Sequence, residues 1–379
     1  MRNVYITKAA KFLPNDPVDS DTMGDFIGFV NGSERVKRIV LRNNGIETRY
    51  YALDKEGNIT HSNAELTYKA VEGLLDEGFK IEDIELLSVG TSSPDQLLPS
   101  HAAMVHGQMK GSQHIEINSS AGICTSGMNA LKYAYMSICS GMKKNAVAAG
   151  SERISSWMLQ DKFSYELDTA RNLEDTPVLA FEKEFLRWML SDGAGAFLLQ
   201  DQPNSKNEIN LRIEWMDAMS FASELETCMY AGAEKNQAGE VISWTNYSSK
   251  EWAEKSMFSI KQDIKLLDEN IIAKGVESLR EVLKRNNFKA EKVDYFLPHI
   301  SSFFFKDKLM EGLREGGVNI ADDKLFINLD KVGNVGAGSI YLMLEDLFNN
   351  HKLKPGETIL LSVPESGRFN YAYALLTVV

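Results

Sequence analysis

Three residues able to share one reaction sit in small-residue surroundings along the chain: Cys124 in SSAGICTSGM, His299 in VDYFLPHISS and Asn334 in VGNVGAGSI. Taken singly, each has an ordinary explanation. A free cysteine is usually a small buried side chain, and an asparagine between glycines is usually a turn residue. As a set they point to nucleophilic acyl transfer. A cysteine on the turn entering a helix meets the positive end of the helix dipole and unpaired N–H groups, and both favour the thiolate. A histidine can carry its proton or donate a hydrogen bond, and an asparagine amide can donate a second. Ala121, Gly122, Ser126 and Gly127 leave room for a substrate carbonyl to approach the backbone.

An internal repeat supplies the elements that would bring the three together. AVEGLLDEGFKIEDIELLSVG resembles SLREVLKRNNFKAEKVDYFLPH: a helix, then F-K-x-E, then a buried strand. IEINSSAGICTSGMNAL resembles LFINLDKVGNVGAGSIYL: a strand ending in Ile-Asn, a small-residue turn, then a helix. Phe79 pairs with Phe288 and Asn118 with Asn328 at nearly the same offset. Equal steps past the two asparagines lead to Cys124 and Asn334. The spacing predicts a helical face through Met128, Leu131, Tyr135, Ile138 and Met142, with Cys139 in its apolar stripe, and another through Ile340, Met343 and Leu347. Apolar strands joined through helices predict an α/β fold with mostly parallel sheets. Two similar halves are expected, 1–203 and 204–379, joined near the polar QDQPNSKNE. A pseudo-twofold between them would set the two helix entries face to face. His299, ending a strand, would then enter the same cleft.

Bulk properties narrow the function classes. A net charge of -12 argues against nucleic acid as a partner, because phosphate binding needs clustered cations. The runs GSERVKRIVLRNNG and REVLKRNNFK read as solvated faces that could meet one acidic partner locally. No stretch reaches the length of a membrane span. MRNVYITKAAKFLPND reads as a strand without an apolar leader, and three cysteines are too few for a disulfide framework. A cytoplasmic protein with no metal and no cofactor is expected. SDGAGAF is glycine-rich but lacks the spacing of a nucleotide-binding loop, and reads as a structural turn.

Cys124 in AGICTSGMNAL, Ser191–Leu199 in SDGAGAFLL, His299 in PHISS and Asn334 in VGNVGAGSI resemble, in order and spacing, the β-ketoacyl-acyl carrier protein synthase III family of the thiolase superfamily. The resemblance implies a thiolase-like five-layer αβαβα sandwich of two similar halves, normally a homodimer. It also implies a decarboxylative Claisen condensation. Cys124 would accept an acyl group from a thioester, and His299 with Asn334 would stabilise the enolate of a malonyl-type extender. Backbone N–H groups of Cys124 and of the loop PESGRF, at Gly367 and Arg368, would form the oxyanion hole.

Members that take acyl-coenzyme A carry a tryptophan and an arginine that clamp the adenine. Here those positions hold Ile39 and Asn43, so an acyl carrier protein becomes the favoured donor. Arg42, Arg49 and Phe303 are candidate substrate contacts. The long segment WMLQDKFSYELDTARNLEDTPVLAFEKEFLRWML, and NYSSKEWAEKSMF, are expected to shape an acyl tunnel or the dimer seam. FLPNDPVDSDTMGDFIG and LRNNGIETRYYALD resemble a branch that joins two carrier-bound acyl chains and closes a ring toward dialkylresorcinols. The alternatives are acyl transfer to an alcohol or amine, and a non-catalytic heterodimer partner. A papain-like hydrolase has the same residue types but neither its flanking motif nor its fold is present.

Overall fold

The computed structural model describes residues 2–28, 41–163 and 186–379. Nine strands form one mixed sheet: β1 (Tyr5–Phe12), β2 (Leu86–Thr91), β3 (Glu116–Ala121), β4 (Asn145–Glu152), β5 (Gly193–Gln200), β6 (Leu211–Ser220), β7 (Tyr295–Pro298), β8 (Thr358–Glu365) and β9 (Asn370–Val378). Their order is β7-β8-β9-β6-β1-β5-β4-β2-β3. The five strands of the first half meet the four of the second at a thin seam, where Tyr5 pairs with Arg212 and Ile6 with Leu211. The polar stretch QDQPNSKNE lies between the end of β5 at Gln200 and the start of β6 at Leu211.

Six helices cover the sheet: α1 (Asn63–Glu72), α2 (His101–His106), α3 (Thr125–Cys139), α4 (Ile264–Arg285), α5 (Phe304–Glu315) and α6 (Ser339–Asn350). α3 packs on β2 and β4 of the first half and also on β8 and β9 of the second. α6 touches β1 and β5 on one side and β7 on the other. Helices α1 and α2 lie outside the first half, and α4 with α5 outside the second. The layers therefore run helix, sheet, helix, sheet, helix, which is the thiolase-like αβαβα sandwich. The central layer is driven together by apolar burial: Met128, Leu131 and Ile138 of α3 and Ile340, Met343 and Leu347 of α6 share one core with strands of both halves. A Cβ on Gly127 would lie 2.2 Å from the carbonyl oxygen of Ala337, so the two central helix entries can touch only through glycine.

Both copies of the F-K-x-E repeat fold alike. Phe79 and Phe288 each precede a 3-10 turn, Ile81–Asp83 or Ala290–Lys292, and then a strand, β2 or β7. Three details differ from the sequence expectation. The sheet is mixed rather than mostly parallel: β2–β3, β2–β4 and β7–β8 are parallel, the others antiparallel. The turn between β8 and β9 is too short for the crossover that parallel strands need. LFIN forms a single bridge, Leu325 to Phe296, because the chain turns at once into the helical turn Leu329–Val332. Met142 falls beyond the end of α3 and is exposed, while Cys139 is buried in the core as expected.

Candidate active site

Cys124 immediately precedes α3, His299 follows the last residue of β7, and Asn334 lies on the turn leading into α6. All three line one apolar cavity, whose far walls are Leu267, Ile271 and Leu279 of α4, Phe305 and Leu309 of α5, and Tyr371 and Tyr373 of β9. Among the described residues lining it there is no lysine or arginine. The duplicated architecture thus brings together the residues that the repeat singled out.

Each active group is held by a local cause. His299 N donates to the carbonyl of Ser362 at 2.8 Å, continuing the parallel pairing of β7 with β8. Its ring is buried, and that burial pushes its pKa down to about 4. The imidazole is therefore neutral near pH 7, with one nitrogen able to donate and one to accept. Asn334 is strapped by two backbone bonds, its N–H to Met189 O at 3.0 Å and its carbonyl from Ser191 N at 2.9 Å. Gly336 N donates to Asn334 Oδ1 at 2.9 Å, so the amide oxygen is engaged and Nδ2 remains as the side chain's donor. The SDGAGAF turn beside it is structural. Buried Asp192 accepts from Ala52 N, Ile154 N, Ser155 N and Ser155 Oγ, and clasps three segments of the first half.

Cys124 departs from expectation. Helix-end N–H groups were expected to favour thiolate, but the Cys124 thiol is pushed well up, first by burial and then by the carboxylates of Glu365 and Glu152. The physical reason is specific. Glu365 already occupies the anion position at the start of α3, accepting from Ile123 N at 3.1 Å and Thr125 N at 3.0 Å. The resting cysteine is a thiol.

The expected oxyanion-hole positions lie together in part. Cys124 N and Gly367 N make no hydrogen bond to the chain among the described residues, and Gly367 packs against Ile123 beside the nucleophile. The side chain of Arg368 points outward and donates from Nε to Leu225 O at 3.0 Å. Other candidates are placed elsewhere. Arg49 is buried and donates to Trp188 O at 3.2 Å and to Ser20 Oγ at 3.3 Å, which makes it a structural clasp rather than a surface clamp. Arg42 is exposed on the short helical segment 41–44, away from the residues that line the cavity. Phe303 packs over Gly45, and it is Phe305, two residues on, that faces the cavity. Ile39, most of GSERVKRIVLRNNG and residues 164–185 of the long insertion lie outside the described residues. Asn246–Phe258 contributes Phe258 to a second, open cleft, which also borders Gly122, Ile123 and Trp157.

Glu152 and Glu365 were missed from sequence. The available sign was that AAGSE and LSVPE, ends of corresponding strands, both finish on glutamate.

Comparison with known proteins agrees with this geometry. Residues 98–204, which include Cys124, match the model of the β-ketoacyl synthase N-terminal domain. Residues 283–375, which include His299 and Asn334, match that of the 3-oxoacyl-[acyl-carrier-protein] synthase III C-terminal region. The chain is 26% identical over 382 residues to β-ketoacyl-[acyl-carrier-protein] synthase III of Clostridium perfringens, covering 99% of both chains. It is 26% identical over 356 residues to the Rickettsia prowazekii enzyme of that name, covering 94% of each. Among solved structures it superposes on AbyA1, a tetronic acid condensing enzyme, with a TM-score of 0.75 at 20% identity over 98% of this chain and 99% of the other. It also superposes on Xanthomonas campestris OleA with bound lauric acid and lauroyl-CoA, with a TM-score of 0.73 at 19% identity over 99% of both chains. With the three residues in one cavity, and each matched region carrying its share of them, the chain is similar over nearly its whole length to the β-ketoacyl-acyl carrier protein synthase III family of acyltransferases.

Proposed function

We propose that Cys124 attacks an acyl thioester, releases its thiol and carries the acyl group as a new thioester. His299 and Asn334 then donate hydrogen bonds to the thioester oxygen of a malonyl-type extender as carbon dioxide leaves. The resulting carbanion attacks the acyl carbon, forming the carbon–carbon bond and expelling the Cys124 sulfur. The observation that carries this reading is the convergence of Cys124, a neutral His299 and an Asn334 amide with its oxygen already engaged on one apolar cavity. Cys124 N and Gly367 N supply the donors for the tetrahedral oxyanion.

The condensation of two long chains, as in the dialkylresorcinol branch, is supported by a second feature. Met229 borders both the enclosed cavity and the open cleft, so two apolar chains could meet beside Cys124. The solved neighbours, one a tetronic acid condensing enzyme and one holding lauroyl-CoA, are in keeping with fatty thioester chemistry. Ile39 and Asn43, in place of the tryptophan and arginine that clamp an adenine, favour acyl carrier protein over acyl-coenzyme A as donor. A homodimer is favoured by the edge position of β3, where Ile117 is exposed, and by the still more exposed Leu97 and Leu98 in the loop before α2.

Intact-protein mass tests the reading. Mixing with matched acyl-coenzyme A and acyl-carrier-protein panels should add one acyl group to the protein and none to Cys124→Ala. Malonyl thioester added afterwards should release carbon dioxide. Acylation without that release would favour transfer to an alcohol or amine, and no adduct from any donor would sink the acyl-enzyme.

A further inference from the structure

The two carboxylates nearest the thiol occupy equivalent places in the duplicated fold. Glu152 is the last residue of β4, the strand parallel to β2, and Glu365 is the last residue of β8, the strand parallel to β7. Both are buried. Each reaches across to the other half. Glu365 Oε2 accepts from Ile123 N, Thr125 N and Thr125 Oγ1, the turn that carries Cys124. Glu152 Oε1 accepts from Ala337 N at 3.2 Å and Ser92 N at 3.0 Å, while its Oε2 accepts from Ser93 Oγ. Ala337 belongs to the turn that carries Asn334, and its neighbour Gly336 is the donor that fixes the Asn334 amide. Gly336 has φ +47°, and a Cβ there would lie 2.9 Å from Glu152 Oε1, so the carboxylate fits against that turn only because the residue is glycine.

We propose that Glu365 and Glu152 are reciprocal positioning residues, each fixing from one half the helix-entry turn that carries the active residue of the other. Glu365 acts through Cys124 and Glu152 through Asn334. The arrangement has an electrostatic consequence that a neutral strap would not have. The titratable groups facing the thiol are Glu365 from β8, Glu152 from β4 and the neutral His299 after β7. The α3 N–H groups that would otherwise stabilise a thiolate are spent on Glu365, and two negative charges oppose a third. The nucleophile is thereby held in place and held protonated until a substrate arrives.

Alkylation by iodoacetamide, followed by intact mass across a pH series, reads this directly. It needs no acyl donor, so it stands or falls apart from the ketosynthase reading; Cys124→Ala supplies the background from Cys139 and Cys228. Glu365→Gln should move the alkylation midpoint down by about one pH unit or more, making the reaction about tenfold faster at pH 7. Glu152→Gln should move it the same way by less, and Glu365→Asp, which keeps the charge, should restore a midpoint near that of the unaltered protein. An unchanged midpoint in Glu365→Gln with native circular dichroism and melting overturns the proposal. Should that variant fail to fold, Glu152→Gln decides alone: a lowered midpoint supports the charge coupling, and an unmoved one overturns it.

Discussion

At the scale of single residues, the proposed mechanism divides the work between a thiol that forms the covalent bond and two neutral donors that wait for negative charge. His299 and Asn334 carry no charge near pH 7, so in this mechanism each acts by donating to an oxygen as it becomes anionic, in a cavity with a mostly apolar lining. Removing one such donor costs about 100-fold to 1,000-fold in rate. His299→Ala and Asn334→Ala should therefore still gain an acyl group on Cys124 while releasing carbon dioxide from a malonyl thioester about 100-fold or more slowly. Loss of acylation in both variants would place the two residues in the first half-reaction instead. These three side chains were legible in the sequence because a repeated, glycine-flanked turn marks two of them and a strand end marks the third. Glu365 and Glu152 were not, since a single acid ending an apolar strand leaves no periodic trace and the helix-entry turn it bonds lies on the other half. The run Phe303, Phe304, Phe305 shows the same limit: three aromatics in sequence cannot say which ring turns inward, and the helical phase of α5 chose Phe305.

At the scale of elements, the central helices position the chemistry through a contact that tolerates almost nothing. Tyr341 Oη of α6 donates to Gly127 O of α3 at 2.9 Å, and its ring stacks on Phe197 of β5 with centroids 4.4 Å apart. Gly127 is only three residues past Cys124, so any widening of this contact also moves the nucleophile. Gly127→Val would drive a side chain into the Ala337 carbonyl, and overpacking of this kind costs about 1–3 kcal/mol or more. Urea unfolding should show at least that loss, with acyl loading on Cys124 falling in the protein that remains folded; unchanged stability would mean that the two helix entries can separate freely. The helices themselves were legible from their apolar spacing, and the repeat told which two would meet. The antiparallel strands were less so, because a strand buried on both faces looks alike in either direction. Arg49 was hidden for a related reason. Its charge suggested the surface, whereas backbone carbonyls of its own half take up its guanidinium inside the core.

At the scale of the whole molecule, the burial that keeps His299 neutral has a thermodynamic consequence far from catalysis. His101, in the outer layer of the first half, is likewise buried, its Nε2 shared by Thr67 Oγ1 at 3.0 Å and Ser151 Oγ at 3.3 Å, and its pKa also pushed down to about 4. In an unfolded chain both would titrate near 6.5. Between these values the unfolded state binds protons that the folded state refuses, so stability falls as the pH drops from about 6.5 toward 4. Each histidine contributes on the order of 3 kcal/mol over that window, a large share of the stability of an ordinary domain. Buried Asp192 and Glu152, whose carboxyls are pushed up by desolvation, work in the opposite sense once the pH falls toward their folded values. The histidine part can be isolated. Urea midpoints measured from pH 7 to 5 should decline steadily in the unaltered protein, and His101→Asn should flatten that decline whatever it does to stability at pH 7. Parallel declines in the two proteins would show that His101 is not neutral in the folded state, and that the acid sensitivity of the fold arises elsewhere.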